Sequence, residues 1–441
     1  MRGQRPGRKI PRSIAHSGKL AKGDTAMSSA KAELRQDAEV IGLVGFAHLF
    51  SHFLQLILPP LFPLLKDEFG VGYAALGLMV SVMYTVSGTS QTMAGFVVDR
   101  YGARRVLLAG VATFSVALLL IGLARSYWML LAVAALAGLG NSVFHPADFA
   151  LLNAKVKQKR LGYAFSTHGI GGNFGWLAAP AFSVGISALY GWRSAAISAG
   201  VLGLAVTAFL ASRTALKGAA QARPGEPRQV ARLGEDVRKL LTPQVLKCFA
   251  FFTFYSMAVV GLQTFSVSVT TALYGAPLVV ASAALSGFLF GGIVGIVAGG
   301  VAAAHSSRHN LVAAAGMLTA AVLTALLASG SLATSLLIGC MAAIGFFMFS
   351  TQPSRDILVR AATPPGATGK VYGFVYSGLD LGSTLAPPVF GWLLDRHLPQ
   401  WVFGASASFM LLAAATVITL RTRRAGETCG GEAALAQKPA S

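Results

Sequence analysis

The chain has 441 residues, of which 54% are hydrophobic and 12% charged, with a formal net charge of +20 at pH 7. Soluble domains carry about 25% charged residues, so this composition, with a mean hydropathy of +0.63, excludes a soluble globular protein. The basic surplus does not mark a nucleic-acid binder, because Lys and Arg are concentrated in alternate connecting segments, the signature of membrane topology.

Residues 1–40 form a polar, basic tail, expected to be disordered and cytoplasmic; it is read as carrying no cleavable signal peptide, and Met27 offers a second start. Twelve apolar runs follow, each close to the roughly 20 residues that cross a bilayer. They are predicted at 41–65, 73–98, 106–124, 127–151, 161–188, 193–211, 244–270, 278–303, 311–328, 332–353, 369–394 and 400–420. Of the 36 Lys and Arg, 31 fall on the side that carries both termini, and Lys66, Arg125, Arg193 and Arg396 on the other. The positive-inside rule therefore places both termini in the cytoplasm of a cell that uses a bacterial-type inner membrane. The three cysteines, Cys248, Cys340 and Cys429, match no metal or redox spacing.

The expected fold is all-α and integral to the membrane: twelve transmembrane helices in two pseudo-symmetric six-helix bundles around a central cavity. The bundles are 41–211 and 244–420, joined by a cytoplasmic linker at 212–243 and followed by a cytoplasmic tail at 421–441. An internal repeat supports two halves. N-S-V-F-H-P-A-D around Pro146 is echoed by M-F-S-T-Q-P-S-R-D around Pro353, Gly162-Tyr163-Ala164-Phe165 by Val371-Tyr372-Gly373-Phe374, and His168-Gly169 by Ser377-Gly378, at an offset of about 207–209 residues.

Polar stripes run along otherwise apolar spans. His48, His52 and Gln55 in span one stand at i, i+4 and i+7, as do Asn141, His145 and Asp148 in span four. Span seven offers Tyr255 and Gln263; span ten offers Gln352 and Asp356; span eleven holds Asp380. Lipid cannot satisfy such groups, so they need a cavity or a partner helix. His titrates near neutral pH, and a desolvated Asp can be brought into that range. His52, His145, Asp148 and Asp380 are accordingly candidates for proton carriage. Bland alternatives stand beside each: Asp148 as an ion-pair partner of Arg100 or Arg104, His145 bonded to a carbonyl freed by Pro146, and His48 and His52 as interhelical donors. His168, Gly171, Gly172 and Gly175 are read as helix-packing residues and Asn173 as an interhelical hydrogen-bonding group.

Gly95-Phe-Val-Val-Asp99-Arg100-Tyr101-Gly102-Ala103-Arg104-Arg105, between spans two and three, resembles the signature loop of the major facilitator superfamily, G-x-x-x-D-R-x-G-R-R. Gly95 is expected to allow close helix approach and Gly102 a tight turn, with Asp99, Arg100, Arg104 and Arg105 forming an ion-paired cytoplasmic latch. Ala103 stands where that motif has its first basic residue. Within the superfamily the chain is similar to the fosmidomycin-resistance-type exporters over Ala47–His52, Leu58–Phe69, Gly140–Pro146 and Gly171–Gly175. The resemblance implies spans 1, 4, 7 and 10 around the cavity, alternating access, and proton-coupled efflux of a small compound, anionic ones included. Three positions depart from related transporters: His52 where Asp is common, Ala134 where proton-coupled members have Arg, and Gly171-Gly172 ahead of Pro180 where antiporters have Gly-Pro first.

The alternative is a proton symporter importing an organic acid or sugar. A membrane-embedded metal-dependent enzyme is remote: His48 and His52 have His-x-x-x-His spacing but lack the general-base Glu of zincins. No nucleotide-binding G-x-x-x-x-G-K-[ST] loop occurs, so an ion gradient is the expected energy source. The chain is expected to be no enzyme, to need no cofactor, to meet a small-molecule substrate, protons and lipid, and to act as a monomer. Single cysteines placed at Ser126 and Arg193 should react with a membrane-impermeant maleimide from outside the cell, and those at Lys157 and Arg228 only after permeabilisation; the reverse pattern would overturn the topology.

Overall fold

The structure, a computed structural model, describes residues 13–218, 241–364 and 368–420. The central part of the linker, the tail at 421–441 and Cys429 lie outside the described residues. Among the described residues every regular element is helical. In order they are α1 (Ser13–Gln55), α2 (Phe62–Phe69), α3 (Tyr73–Tyr101), α4 (Ala103–Gly122), α5 (Tyr127–Asn141), α6 (Phe144–Lys155), α7 (Leu161–Ser212), α8 (Pro243–Tyr274), α9 (Leu278–His305), α10 (His309–Ala328), α11 (Leu337–Ser350), α12 (Gln352–Ala362), α13 (Thr368–Asp395) and α14 (Pro399–Ile418). Helix α7 is two spans: Gly191, at φ 83°, interrupts it. Spans four and ten are the pairs α5–α6 and α11–α12, which gives twelve spans.

Three expectations about these elements are corrected. The tail is helical from Ser13, because Ala, Lys, Glu, Leu and Arg dominate the stretch before the membrane. Span one ends at Gln55 rather than 65, since Pro59 and Pro60 force a 3-10 turn before α2. Spans four and ten are each broken. Pro146 and Pro353 lack the N–H that would hold the carbonyl one turn back, and the helix resets just ahead of each.

Glycines set how closely helices meet, and they do so identically in both halves. A Cβ on Gly171 would lie 2.8 Å from the Gly45 carbonyl oxygen, and one on Gly175 2.0 Å from that of Leu49. Across the repeat, Gly378 meets the Phe249 oxygen at 2.8 Å and Gly382 that of Thr253 at 2.6 Å. Gly138 against Met83 is matched by Gly345 against Phe288. Helix pairings follow the same plan: α1 on α7 matches α8 on α13, α4 on α5 matches α10 on α11, and α3 on α5 matches α9 on α11. The two bundles are therefore pseudo-symmetric. This packing also corrects the repeat register: Gly162 corresponds to Gly369, not Val371, and His168 to Val375, not Ser377.

The halves touch along two seams, α3 with α13 and α7 with α9, and where the turn at Pro59–Leu61 meets α8. Hydrogen bonds on the first seam lie toward the end away from the termini. Tyr73 and Ala74 donate their backbone N–H to the Asp395 carboxylate at 2.7 and 2.9 Å, and Ser81 donates to the Thr384 carbonyl at 2.6 Å. Phe62 packs edge-on against Phe265 at 5.8 Å. At the other end the seam helices expose Phe96, Val97, Tyr163, Phe165, Val297 and Tyr376. The cleft is shut at the far end and open on the side that bears the termini. Gly95 sits in that open end with nothing within 4 Å, so the close helix approach expected of it is not made.

A small cavity lies in the closed part, with Gln55, Tyr84, Trp176, Gln263 and Thr264 among its lining. Gly175→Ala should destabilise the protein by about 2 kcal/mol or more, through the clash with the Leu49 backbone. Melting in detergent checks this, with Gly185→Ala, which has open space, as the control.

Candidate functional site

The stripe of α1 runs antiparallel to that of α5–α6, and the two meet in register. Gln55 donates to the Asn141 side-chain oxygen at 2.6 Å, and Asn141 donates to the Ser87 hydroxyl of α3 at 2.8 Å. Trp176 on α7 donates its indole N–H to the Gln55 carbonyl oxygen at 3.3 Å. Two turns toward the open end, His48 faces Asp148. The proline break does not scatter the span-four stripe; it delivers Asp148 into the packing between α1 and α7.

Asp148 is fully buried. Its Oδ2 makes a 3.0 Å hydrogen bond with Nε2 of His168, itself 4% exposed. His48 Nδ1 lies 3.3 Å from the same oxygen but out of line for a hydrogen bond. The His48 ring stacks on His168 with centroids 3.5 Å apart, and lies 4.5 Å from His52 and 5.2 Å from His145. His52 in turn stacks on Trp176 at 4.1 Å. His145 is the exposed member of the group. A Cβ on Gly172 would strike both His52 and His48, at 2.7 and 3.1 Å, so only glycine there lets the imidazoles pack under α7.

Several assignments change. Asp148 pairs with histidines and not with Arg100 or Arg104; Arg104 instead donates to the Ala211 carbonyl at 2.5 Å, tying the start of α4 to the end of α7. His168 belongs to the ionisable cluster rather than to packing alone. Asn173 bonds the Gly169 carbonyl of its own helix, not a neighbour, because its side chain points away from the α1 contact. Asp380 is half-buried against Gly88 on the α3–α13 seam, away from the histidines. Gln263 is buried at the closed end, where its side-chain nitrogen has no hydrogen-bond partner among the described residues. Gly102, at φ 86°, makes the turn between α3 and α4, which favours glycine even though the space around it is open. Arg100 lies over the Tyr101 ring at 5.5 Å.

The second half carries a group that the polar stripes did not single out. Arg355, on α12, is 7% exposed, with its guanidinium 4.4 Å from the Phe252 ring centre and 5.4 Å from that of Tyr255. Its Nε donates to Asp356 Oδ1 at 2.9 Å, and the Tyr376 hydroxyl donates to the same oxygen at 3.2 Å. Gln352 donates to the Tyr255 hydroxyl at 3.0 Å. The signal was present in the repeat: aligned on the two prolines, Arg355 occupies the place of Asp148.

Magnitudes separate fold from function here. A buried carboxylate without full hydrogen bonding is costly, whereas an interhelical hydrogen bond returns only about 0.6–1.7 kcal/mol. One such bond does not offset the placement. His48 Nδ1, His52 Nδ1 and Asp148 Oδ1 also lack hydrogen-bond partners among the described residues. Buried polar atoms in native proteins are rarely left so, and a cluster of them asks for an explanation beyond stability. The three imidazoles of His48, His145 and His168 bring their nitrogens within 4.8 Å of one another, a donor set that can share protons.

The family model of the Major Facilitator Superfamily matches residues 44–310 and 263–439. The fosmidomycin resistance protein of Escherichia coli (strain K12) is 27% identical over 406 residues, spanning 89% of this chain and 95% of that protein. The membrane sensor protein UhpC of the same organism is 25% identical, over 78% of this chain and 81% of its own length. Among solved structures, a bacterial homologue of the human lysosomal transporter Spinster, in an inward-facing and unoccupied conformation, superposes with a TM-score of 0.63 at 16% identity, covering 87% of this chain and 95% of that one. These relatives are transporters and a sensor built on one membrane fold, not enzymes. With its twelve spans, repeated halves and central cleft, the chain belongs to the Major Facilitator Superfamily of secondary transporters.

Proposed function

We propose that the protein is a proton-coupled exporter that exchanges protons for a small compound by alternating access. It would act as a monomer in a bacterial inner membrane with both termini cytoplasmic. The observation that carries this reading is the under-satisfied His48–Asp148–His168 cluster in the wall of the cleft. A proton added between His48 and Asp148 gives the carboxylate a second partner, or neutralises it; either change lowers the electrostatic penalty of closing the cleft around it. Loss of the proton to the cytoplasm leaves a charged group that favours the open, hydrated state. Exposed His145 links the cluster to water, and substrate arriving from that side displaces the proton. The similarity to a fosmidomycin resistance protein along most of both chains supports export and makes phosphonates the first compounds to try.

The test uses inside-out vesicles, acidified inside by respiration and loaded with a pH-sensitive dye. Fosmidomycin, other phosphonates, organic acids, sugars and lipophilic drugs are added in turn, with vector-only vesicles as control. A compound-evoked proton release is expected from wild type and should fall at least about tenfold in Asp148→Asn, the cost of an absent titrating group being more than 1.4 kcal/mol. The variant should insert and fold, since Asn keeps a hydrogen bond to His168. Unaltered release by Asp148→Asn would remove Asp148 from coupling. Silence here combined with gradient-dependent accumulation in right-side-out vesicles would replace export by proton symport.

A further inference from the structure

The two halves place opposite charges at one position of the repeat. The glycine contacts that set the register, Gly171 with Gly378 and Gly175 with Gly382, also set which residues correspond. Along α1 and α8 the same contacts relate Leu49 to Thr253, hence His48 to Phe252. His48 lies against Asp148 in the first half; Phe252 lies against Arg355 in the second. One frame thus presents a buried carboxylate among imidazoles in the first bundle, and a buried guanidinium among aromatic rings in the second.

We propose that Arg355, with Tyr255 and Gln352, is the site that holds the anionic group of the transported compound, a phosphonate or carboxylate. The inference deepens the transport reading and rests on it, but does not require the proton cluster. A buried guanidinium has to be matched by negative charge. Asp356 engages only its Nε, and among the described residues no hydrogen bond takes the two terminal NH2 groups, the part of the fork that binds an oxyanion in bidentate fashion. The rings of Phe252, Tyr255 and Tyr376 hold the guanidinium plane in place. The Tyr255 hydroxyl already accepts from Gln352, which leaves its own proton to donate to an anion. Asp356, 43% exposed and bonded to Tyr376, acts as a positioning residue that partly neutralises Arg355 until substrate arrives. Arg355 also borders a pocket with Cys248, Phe251, Leu358 and Val359, which presents an apolar wall beside the guanidinium.

The experiment is equilibrium binding to the purified full-length protein in detergent, with no pH gradient. Three probes share one aromatic body: phenylphosphonate, benzyl alcohol and benzyltrimethylammonium. Phenylphosphonate should bind best and weaken with added salt. Arg355→Gln should weaken it by about tenfold to a hundredfold, the range for a hydrogen bond to a charged group, and Tyr255→Phe by several-fold. Asp356→Asn should bind it more tightly than wild type, a gain that a merely structural ion pair does not produce. Absence of phenylphosphonate binding, preference for the neutral or cationic probe, or unchanged affinity in a folded Arg355→Gln would overturn the proposal. If Arg355→Gln does not fold, Tyr255→Phe decides by the same criterion. The vesicle assay reads proton exchange and this one reads anion binding without a gradient, so a failure of proton coupling and a failure of this anion site are read separately.

Discussion

A carboxylate inside a membrane has to be given partners by its own protein, and Asp148 dictates much of the first half on that account. Its donor, His168, comes from α7, and the imidazole that crowds its other side, His48, comes from α1. To bring those helices within reach, α7 presents glycine at each turn of the contact, and Gly172 leaves room for two imidazole rings. To aim the carboxylate at them, the fourth span breaks at Pro146. Each device weakens a helix or a contact taken alone; together they surround one ionisable group. Even so, the group is not fully satisfied. A fully paired structural salt bridge would leave no such atom.

The second half uses the same frame for a different purpose. Its glycines, its proline break and its helix pairings repeat, while the ionisable residue changes sign and its neighbours change from imidazoles to benzene and phenol rings. Duplication copied a backbone arrangement that positions one buried charge per half. Side-chain replacements then left a carboxylate among imidazoles in one copy and a guanidinium among aromatic rings in the other.

Much of this was legible before any coordinates. The twelve spans follow from apolar run lengths, and the polar stripes of α1 and α5–α6 meet along their length because both have helical spacing. What could not be read was which stripe meets which, and where helices break. His168 stands among glycines and looks like packing until α7 is laid on α1. Arg355 sits beside Asp356, and a charged pair near the positive side passes for an ordinary loop end; its burial depends on three aromatic side chains from two other helices. The repeat register was blurred by similar short words, Gly-Tyr-Ala-Phe and Val-Tyr-Gly-Phe. Backbone contacts at glycines, which leave no trace in hydropathy, decide it.

The carboxylate of Asp395 has a further consequence. It closes the far end of the cleft by capping the first turn of α3 from the opposite bundle, using N–H groups that no α-helix can satisfy internally. When the bundles part at that end, those N–H groups and the carboxylate both pass into water, which replaces every bond they lose. The catch is thus strong enough to give the closed end a definite register, yet releases with little net enthalpy, as a door that must swing on every turnover requires. Hydrogen bonds of this kind join the bundles on the α3–α13 seam, which therefore has to release for the far end to open.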